Sequence, residues 1–377
     1  MTRGKIIHVT LGKANPNRAN GINVIVHNLA ESQPKAGLAT EVWGLTPTPE
    51  EGSFERSYPL RLFERKSHRM GLSKQLKQAI AELPTDAIVH FHGGLLVEFY
   101  HMARRLQKRG IPWVLMPHGS YSEVALKRGR LKKHAFIKYF DRFVIENAAA
   151  IHAHAPGSMS GVTDLVTVPT TKLFPNGYTL PQAPFAAPQA GSFRFVYCGR
   201  IALYHKGLDL LAGAMDLLEH KGIALSLDIV GDGPDRAELT ETLEQSGAAR
   251  HVTFHGPLFG QEKRDALLEA SCFLLTSRHE GFPMAVTEAV ALGLPLLVTE
   301  GTNYGDYVRN WDCGIVIESA TPEAIAQGMT EMASLSQERL AEMGSNAVRL
   351  VREELNWESV AHRMADELYA PIWGTAA

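Results

Sequence analysis

Short apolar runs recur along the chain at residues 5–10, 40–45, 87–91, 112–116 and 149–153, each the length of a strand buried on both faces. Apolar residues at helical spacing lie between them, over 22–35, 73–83, 95–108 and 157–165. The second half repeats the rhythm. Strands are expected at 193–198, 225–230, 252–255, 272–276, 294–298 and 314–318, and helices after Lys206-Gly207, after Pro283, after Thr321, over 338–355 and beyond Trp357. Such alternation predicts doubly wound parallel sheets, an α/β class. A chain of 377 residues is comfortable for two such domains.

The pattern is densest over 272–299, CFLLTSRHEGFPMAVTEAVALGLPLLVT. It reads as strand, loop, helix and strand, with Pro283 at the helix start and Gly293 and Pro295 at its end. A βαβ unit of this kind is right-handed and puts its helix N-terminus at the carboxyl edge of the sheet, where such folds bind ligands. Two carboxylates sit there. Glu280 precedes the helix, beside backbone N–H groups of Gly281, Phe282 and Met284 that favour a phosphate or sugar hydroxyls. Glu288 is set back along the helix, and its carboxylate suits a vicinal diol such as a ribose.

Composition narrows the class. Apolar content of 45% and charged content of 21% belong to a folded globular chain, and no apolar run is long enough to span a membrane. A cytoplasmic protein is expected, with Cys198, Cys272 and Cys313 as buried thiols, since none has metal-ligand spacing. The net charge of −2 conceals a division: residues 1–180 carry 24 Lys/Arg against 13 Asp/Glu, and residues 181–377 carry 14 against 27. The first half therefore suits an anionic partner. Its basic segment, 127–142, interleaves seven Lys/Arg with Leu131, Phe136, Ile137, Tyr139 and Phe140. That composition fits either a surface for anionic lipid, peripheral on the inner face of the membrane, or a solvated face with a packed apolar stripe. No recognised motif accompanies it, so nucleic acid is not expected.

Other chemistry-bearing residues fall at strand ends. His92-Gly93-Gly94 and His118-Gly119 follow two strands of the first half, and Pro175-Asn176-Gly177 closes that half with a turn. Residues 178–191, with three prolines and small residues, read as a linker. In the second half Arg200 and Lys206 flank one short loop before a helix, a fitting cradle for a diphosphate that needs no metal. Gly231-Asp232-Gly233-Pro234 lacks the third glycine of a dinucleotide fingerprint, so a dehydrogenase is a poor reading. No metal site is expected, since His90/His92 and His152/His154 have no further ligands indicated.

Taken in order, His118-Gly119, Arg200 with Lys206, Gly231-Asp232-Gly233-Pro234 and Glu280 with Glu288 resemble the signature of retaining family-4 glycosyltransferases. The resemblance implies the GT-B fold, two Rossmann-like doubly wound domains facing a cleft. The first would be an acceptor-side domain of residues 1–177 with a C-terminal helix, 357–377, packing back on it; the second, 192–356, would bind the nucleotide sugar. It further implies that Glu288 holds the ribose, Arg200 and Lys206 the diphosphate, and Glu280 with the N–H groups of Gly281 and Phe282 the sugar. His118 would contact the sugar from the other domain. In the first loop, where the family has paired glycines, this chain departs with Asn20-Gly21 and an earlier Gly12, which leaves Gly12 and Gly21 as the candidate binding glycines there, and His92 stays open between structure and function. The expected activity is metal-independent hexosyl transfer with retention, from a UDP or GDP sugar to a saccharide or lipid-linked oligosaccharide of a bacterial surface polysaccharide. A non-catalytic nucleotide-sugar-binding protein and an epimerase on the same fold are the alternatives, and acceptor dependence separates them.

Overall fold

The computed structural model describes residues 3–16, 21–50, 54–65, 71–127, 129–154, 157–180 and 193–375. Most of the expected linker, and Arg128 of the basic segment, lie outside them. The chain divides into two compact units: residues 1–177 with 357–377, and residues 178–356.

Among the described residues unit 1 is built on seven parallel strands: β1 (Arg3–Leu11), β2 (Leu38–Thr46), β3 (Leu60–Glu64), β4 (Ile88–His92), β5 (Trp113–Met116), β6 (Ala150–Ala153) and β7 (Thr171–Leu173). Their spatial order is β3-β2-β1-β4-β5-β6-β7, so the winding reverses between β1 and β4. Strand side chains alternate faces. Ile7, Val9, Val89, Phe91 and Leu115 pack with the helix Val97–Lys108, while Ile6, Ile88 and Val114 pack with Met364, Leu368 and Tyr369 of the C-terminal segment. That second face also carries His8, His90, His92 and His152, all buried. In register, His8 is paired with His90 and Thr10 with His92.

Among its described residues unit 2 holds a six-stranded parallel sheet: β8 (Arg194–Cys198), β9 (Ser226–Val230), β10 (Val252–Gly256), β11 (Cys272–Leu275), β12 (Leu296–Thr299) and β13 (Gly314–Ile317). The order β10-β9-β8-β11-β12-β13 reverses between β8 and β11. Its core is continuous from Phe195 through Phe273 and Leu297 to Met329. Thr321 accepts a hydrogen bond from Ala324 N–H and caps the helix Pro322–Ala333. All three cysteines are buried and unpaired.

One expected element is corrected. Residues 157–166 form consecutive turns rather than a helix. Met159, Val162 and Val166 have helical spacing and are buried, but most local bonds close over three residues, as in Val162 N–H to Met159 and Leu165 N–H to Val162. Gly161 N–H instead donates to Tyr121 O, and a side chain at Gly161 would meet that backbone. Strands β3 and β7 are further elements, both at sheet edges.

Candidate functional site

In unit 2 the named residues converge where the sheet order reverses, at the carboxyl ends of β8 and β11, the place where open α/β sheets bind ligands. The loop after β8 turns through a short helix, Leu203–Lys206, ending at Gly207 with φ of 64°. Thr276 Oγ1, just beyond β11, donates to the carbonyls of Lys206 and Gly207 at 3.2 and 3.1 Å. Arg278 N–H donates to His205 O, and its guanidinium grips both oxygens of Asp209 at 2.7 Å while lying over the Tyr204 ring. The two loops are thus fastened together, and Lys206 Nζ comes to 2.5 Å from Glu280 Oε1. Ser277 Oγ donates to the same oxygen at 2.7 Å.

Glu280 is also held through its backbone. Its N–H donates to Gly301 O, and Asn303 Nδ2 donates to the carbonyls of Glu280 and Gly281. Asn303 adopts φ of 59°, a region that asparagine tolerates, and so turns its amide back onto the loop. Among the described residues the N–H groups of Gly281, Phe282 and Met284 donate to no protein acceptor. They open the helix Met284–Ala291, whose dipole adds to their positive field. Phe282 is buried and stacked on Tyr304 at 4.7 Å, so of this trio it contributes its backbone rather than its ring.

Glu288 lies within that helix, half-buried, in an ion pair with Lys263 of the helix Gly260–Leu268. Burial pushes the nearby Cys198 thiol up, and Lys263 and Glu288 are the charges acting on it. Burial likewise raises the Tyr197 hydroxyl, with Glu280 as the next influence. Glu280 and Glu288 therefore both lie near the end of β8. Arg200 is exposed, and its guanidinium makes no ion pair among the described residues; Tyr197 OH donates to its carbonyl at 2.8 Å. Glycines let the loops meet: side chains at Gly231 and Gly233 would run into the carbonyls of Gly199 and Ile201.

Lys263 and Asn303 were not visible as site residues in the sequence. Asn303 carried a faint signal in lying shortly after β12, at a further strand end. Lys263 carried none, being one charge among Glu262, Arg264 and Asp265.

In unit 1 the corresponding reversal lies between β1 and β4. Gly12 follows β1 with φ of 94° and donates to Leu45 O at 2.9 Å, with Asn23 closing the space above it. Gly21 opens the helix Gly21–Ser32 with free space where a side chain would be. His118 follows β5 in the left-handed region, φ 49°, and its Nε2 lies 3.0 Å from His92 Nδ1. Burial lowers the His118 pKa to about 3, so the ring is neutral at physiological pH. The loop that follows His92 is pinned by Asp141, whose Oδ2 accepts from Leu95 N–H at 2.9 Å and Tyr121 OH at 2.8 Å. The two glycines and His118 thus belong to unit 1, and the carboxylates and cations to unit 2.

The chain is similar to known proteins over both units. Residues 184–349 match the family model for Glycosyl transferases group 1, and residues 19–180 match that for Glycosyltransferase Family 4. A GDP-mannose-dependent alpha-(1-6)-phosphatidylinositol monomannoside mannosyltransferase of Mycobacterium tuberculosis is 26% identical over 180 residues, 46% of this chain and 46% of that protein. The chain thus spans about half the length of the curated relatives it matches. Among solved structures, HepE of Anabaena in complex with UDP superposes with a TM-score of 0.67 at 14% identity, covering 97% of this chain and 100% of that one. WaaG, a glycosyltransferase involved in lipopolysaccharide biosynthesis, superposes with a TM-score of 0.59 at 17% identity, covering 96% and 98%.

Proposed function

The chain belongs to the GT-B glycosyltransferases related to the group 1 and Family 4 enzymes, and we propose that it moves a hexose-type sugar, with retention and without a metal, from a nucleotide-diphosphate sugar to a saccharide or lipid-linked acceptor. The observation that carries this reading is the Lys206–Glu280 pair beside the open Arg200 and the half-buried Glu288.

In the free protein each carboxylate is matched by a lysine. An arriving diphosphate competes for Lys206 and is met by Arg200 as well, which leaves Glu280 able to accept hydrogen bonds from the sugar. Glu288 takes the ribose diol, and the N–H groups of Gly281 and Phe282 face the sugar from the helix start. His118, whose ring is neutral, is a further candidate for a sugar contact. Catalysis comes mainly from stabilising the departing diphosphate with fixed cations and N–H dipoles, which require little reorganisation as the bond breaks.

The relative's name supports a GDP sugar as donor, and the UDP-bound neighbour keeps a uridine donor in the test. For the acceptor we propose a lipid-linked oligosaccharide of a bacterial surface polysaccharide, in keeping with the WaaG likeness and the basic first half. Among the described residues no helix is long and apolar enough to cross a membrane. The segment 127–142 exposes Leu131 and Tyr139 among its cations, and this combination suits peripheral attachment to anionic lipid on the cytoplasmic side. Liposome flotation checks it: equal binding to neutral and anionic vesicles would count against the attachment.

A panel of nucleoside diphosphates and their sugars tests the main reading, with binding and slow donor hydrolysis followed first and transfer to lipid-linked acceptors second. Base-selective binding with sugar release and acceptor-dependent transfer is the expected result. Absence of binding by every nucleotide would overturn the proposal, and binding without turnover on any acceptor would favour a non-catalytic role.

A further inference from the structure

The buried histidines of unit 1 form a line. His118 Nε2 lies 3.0 Å from His92 Nδ1, His92 Nε2 lies 2.8 Å from His8 Nδ1, and His8 Nε2 lies 2.8 Å from Gln33 Oε1. Gln33 Nε2 continues it at 3.2 Å from the Tyr369 hydroxyl, which lies 2.8 Å from His90 Nδ1; His90 Nε2 is 3.3 Å from His152 Nδ1. His8, His90 and His92 are close enough together to suit a metal ion. Every ring nitrogen of the three is already engaged in the line, however, which leaves no lone pair free for one.

Gln33 gives the line its direction. Its Oε1 can only accept, and it also accepts from Thr40 Oγ1 at 3.1 Å, so His8 Nε2 carries a hydrogen. A neutral imidazole carries one hydrogen, hence His8 Nδ1 accepts from His92 Nε2, and His92 Nδ1 accepts from His118 Nε2. On the other side Gln33 Nε2 donates to the Tyr369 oxygen, the Tyr369 hydroxyl donates to His90 Nδ1, and His90 Nε2 donates to His152 Nδ1. Each hydrogen points from His118 toward His152, where the line ends. Burial keeps the rings neutral, lowering His8 to about 4 and His152 to about 3, so the one-hydrogen rule holds throughout.

We propose that Gln33, His8 and His92 are positioning residues that fix His118 as its Nε2–H tautomer, leaving Nδ1 as an acceptor for a sugar hydroxyl. Among the described residues that Nδ1 has no protein partner. Tyr369, from the C-terminal segment, holds the Gln33 amide in the orientation that sets the line. With the amide reversed, every hydrogen would move to the other nitrogen of its ring, and Nδ1 would present a donor. The proposal rests on reading His118 as a contact of the donor sugar.

Long-range 1H–15N spectra of histidine-labelled protein, without ligand, report each tautomer, with His118 assigned through His118→Asn. We expect a single Nε2–H form at His118, a mixture of both forms in Gln33→Leu, and a single form again in Gln33→Glu, which keeps an acceptor toward His8. Tyr369→Phe, a milder change, should also give a mixture if Gln33→Leu does not fold. In transfer assays the mixed-tautomer variants should lose about three- to tenfold in kcat, the worth of one hydrogen bond, with little change in donor KM. A native Nδ1–H form, or an unchanged tautomer in folded Gln33→Leu and Tyr369→Phe, would overturn the proposal. A fixed tautomer in a protein that transfers no sugar would instead fault the functional reading and leave the line standing.

Discussion

Lys206 Nζ stands 2.5 Å from Glu280 Oε1, across the reversal between β8 and β11. Glu288, by contrast, is paired with Lys263 of a different helix. The two carboxylates are therefore held by separate cations, and their removal should have separable effects. We predict that Glu288→Ala weakens nucleoside diphosphate binding. Glu280→Ala should leave that binding nearly intact while lowering transfer by on the order of 10², as loss of a transition-state contact does. Calorimetry with the free nucleotide, alongside kcat/KM for transfer, makes the comparison; equal losses of nucleotide affinity in both variants would contradict it.

Gly207 carries the junction that brings Lys206 to Glu280. Its φ of 64° is costly for a side chain, and a Cβ would run into the Thr276 carbonyl oxygen, which belongs to the strand end and cannot swing aside. Gly207→Ala should therefore destabilise unit 2 by about 1–3 kcal/mol, the usual range for overpacking, and weaken donor binding as the loops part. Gly222 has a similar φ of 68° with open space around it, so Gly222→Ala controls for backbone strain alone. Equal melting temperatures for the two variants would argue against the junction.

The order of strands and helices was legible because the central strands of both sheets are buried on two faces and read as apolar runs. β3 escaped because its alternating Leu60-Arg61-Leu62-Phe63 pattern is short and half-exposed, and β7 because Thr171-Lys172-Leu173 carries no apolar run at all. The turns over 157–166 were misread because burial of Met159 and Val162 imitates a helix, and only the close approach of Gly161 to Tyr121 diverts the backbone. Glu280, Lys206 and Arg200 could be named because strand ends mark the ligand edge of a parallel sheet. Lys263 could not, since only the folded chain brings its helix to Glu288. The line through Gln33 and Tyr369 was hidden for the same reason: those residues are 336 positions apart.

The histidines of unit 1 should make its stability depend on acid. Burial lowers His8 to about 4 and His118 and His152 to about 3, and lowers His90 and His92 well below the ordinary value of 6.5. In the unfolded chain each titrates near 6.5, so the unfolded state binds more protons once the pH drops below that value. The stability these groups contribute is thus fully present above about pH 6.5 and is lost as the pH falls toward 4 and 3. Each group contributes a slope of up to about 1.4 kcal/mol per pH unit in that window, so several together make the loss steep. Denaturant titrations of the full chain should show the midpoint of unit 1 falling between pH 7 and pH 5. A midpoint that holds or rises over that range would show that the rings accept protons in the folded state.

Asp141 acts with the opposite sign. Its carboxyl is buried, and burial outweighs the hydrogen bonds from Tyr121 and Leu95 to raise its pKa from 3.8 to about 7. The folded state therefore binds the proton more tightly than the unfolded state. The associated stability is fully present below about pH 4 and is lost as the pH rises through about 7. Asp141→Asn keeps an oxygen for Leu95 N–H and Tyr121 OH but carries no charge, so it should remove this term. The expected outcome is that the variant gains stability relative to the native chain as the pH rises from 5 to 8, while acid sensitivity from the histidines stays as it was. The difference between paired denaturation midpoints across that range isolates the carboxyl from the histidines that titrate in the same unit. A difference that stays constant with pH would mean that Asp141 is already ionised in the folded protein and that its two donors outweigh its burial.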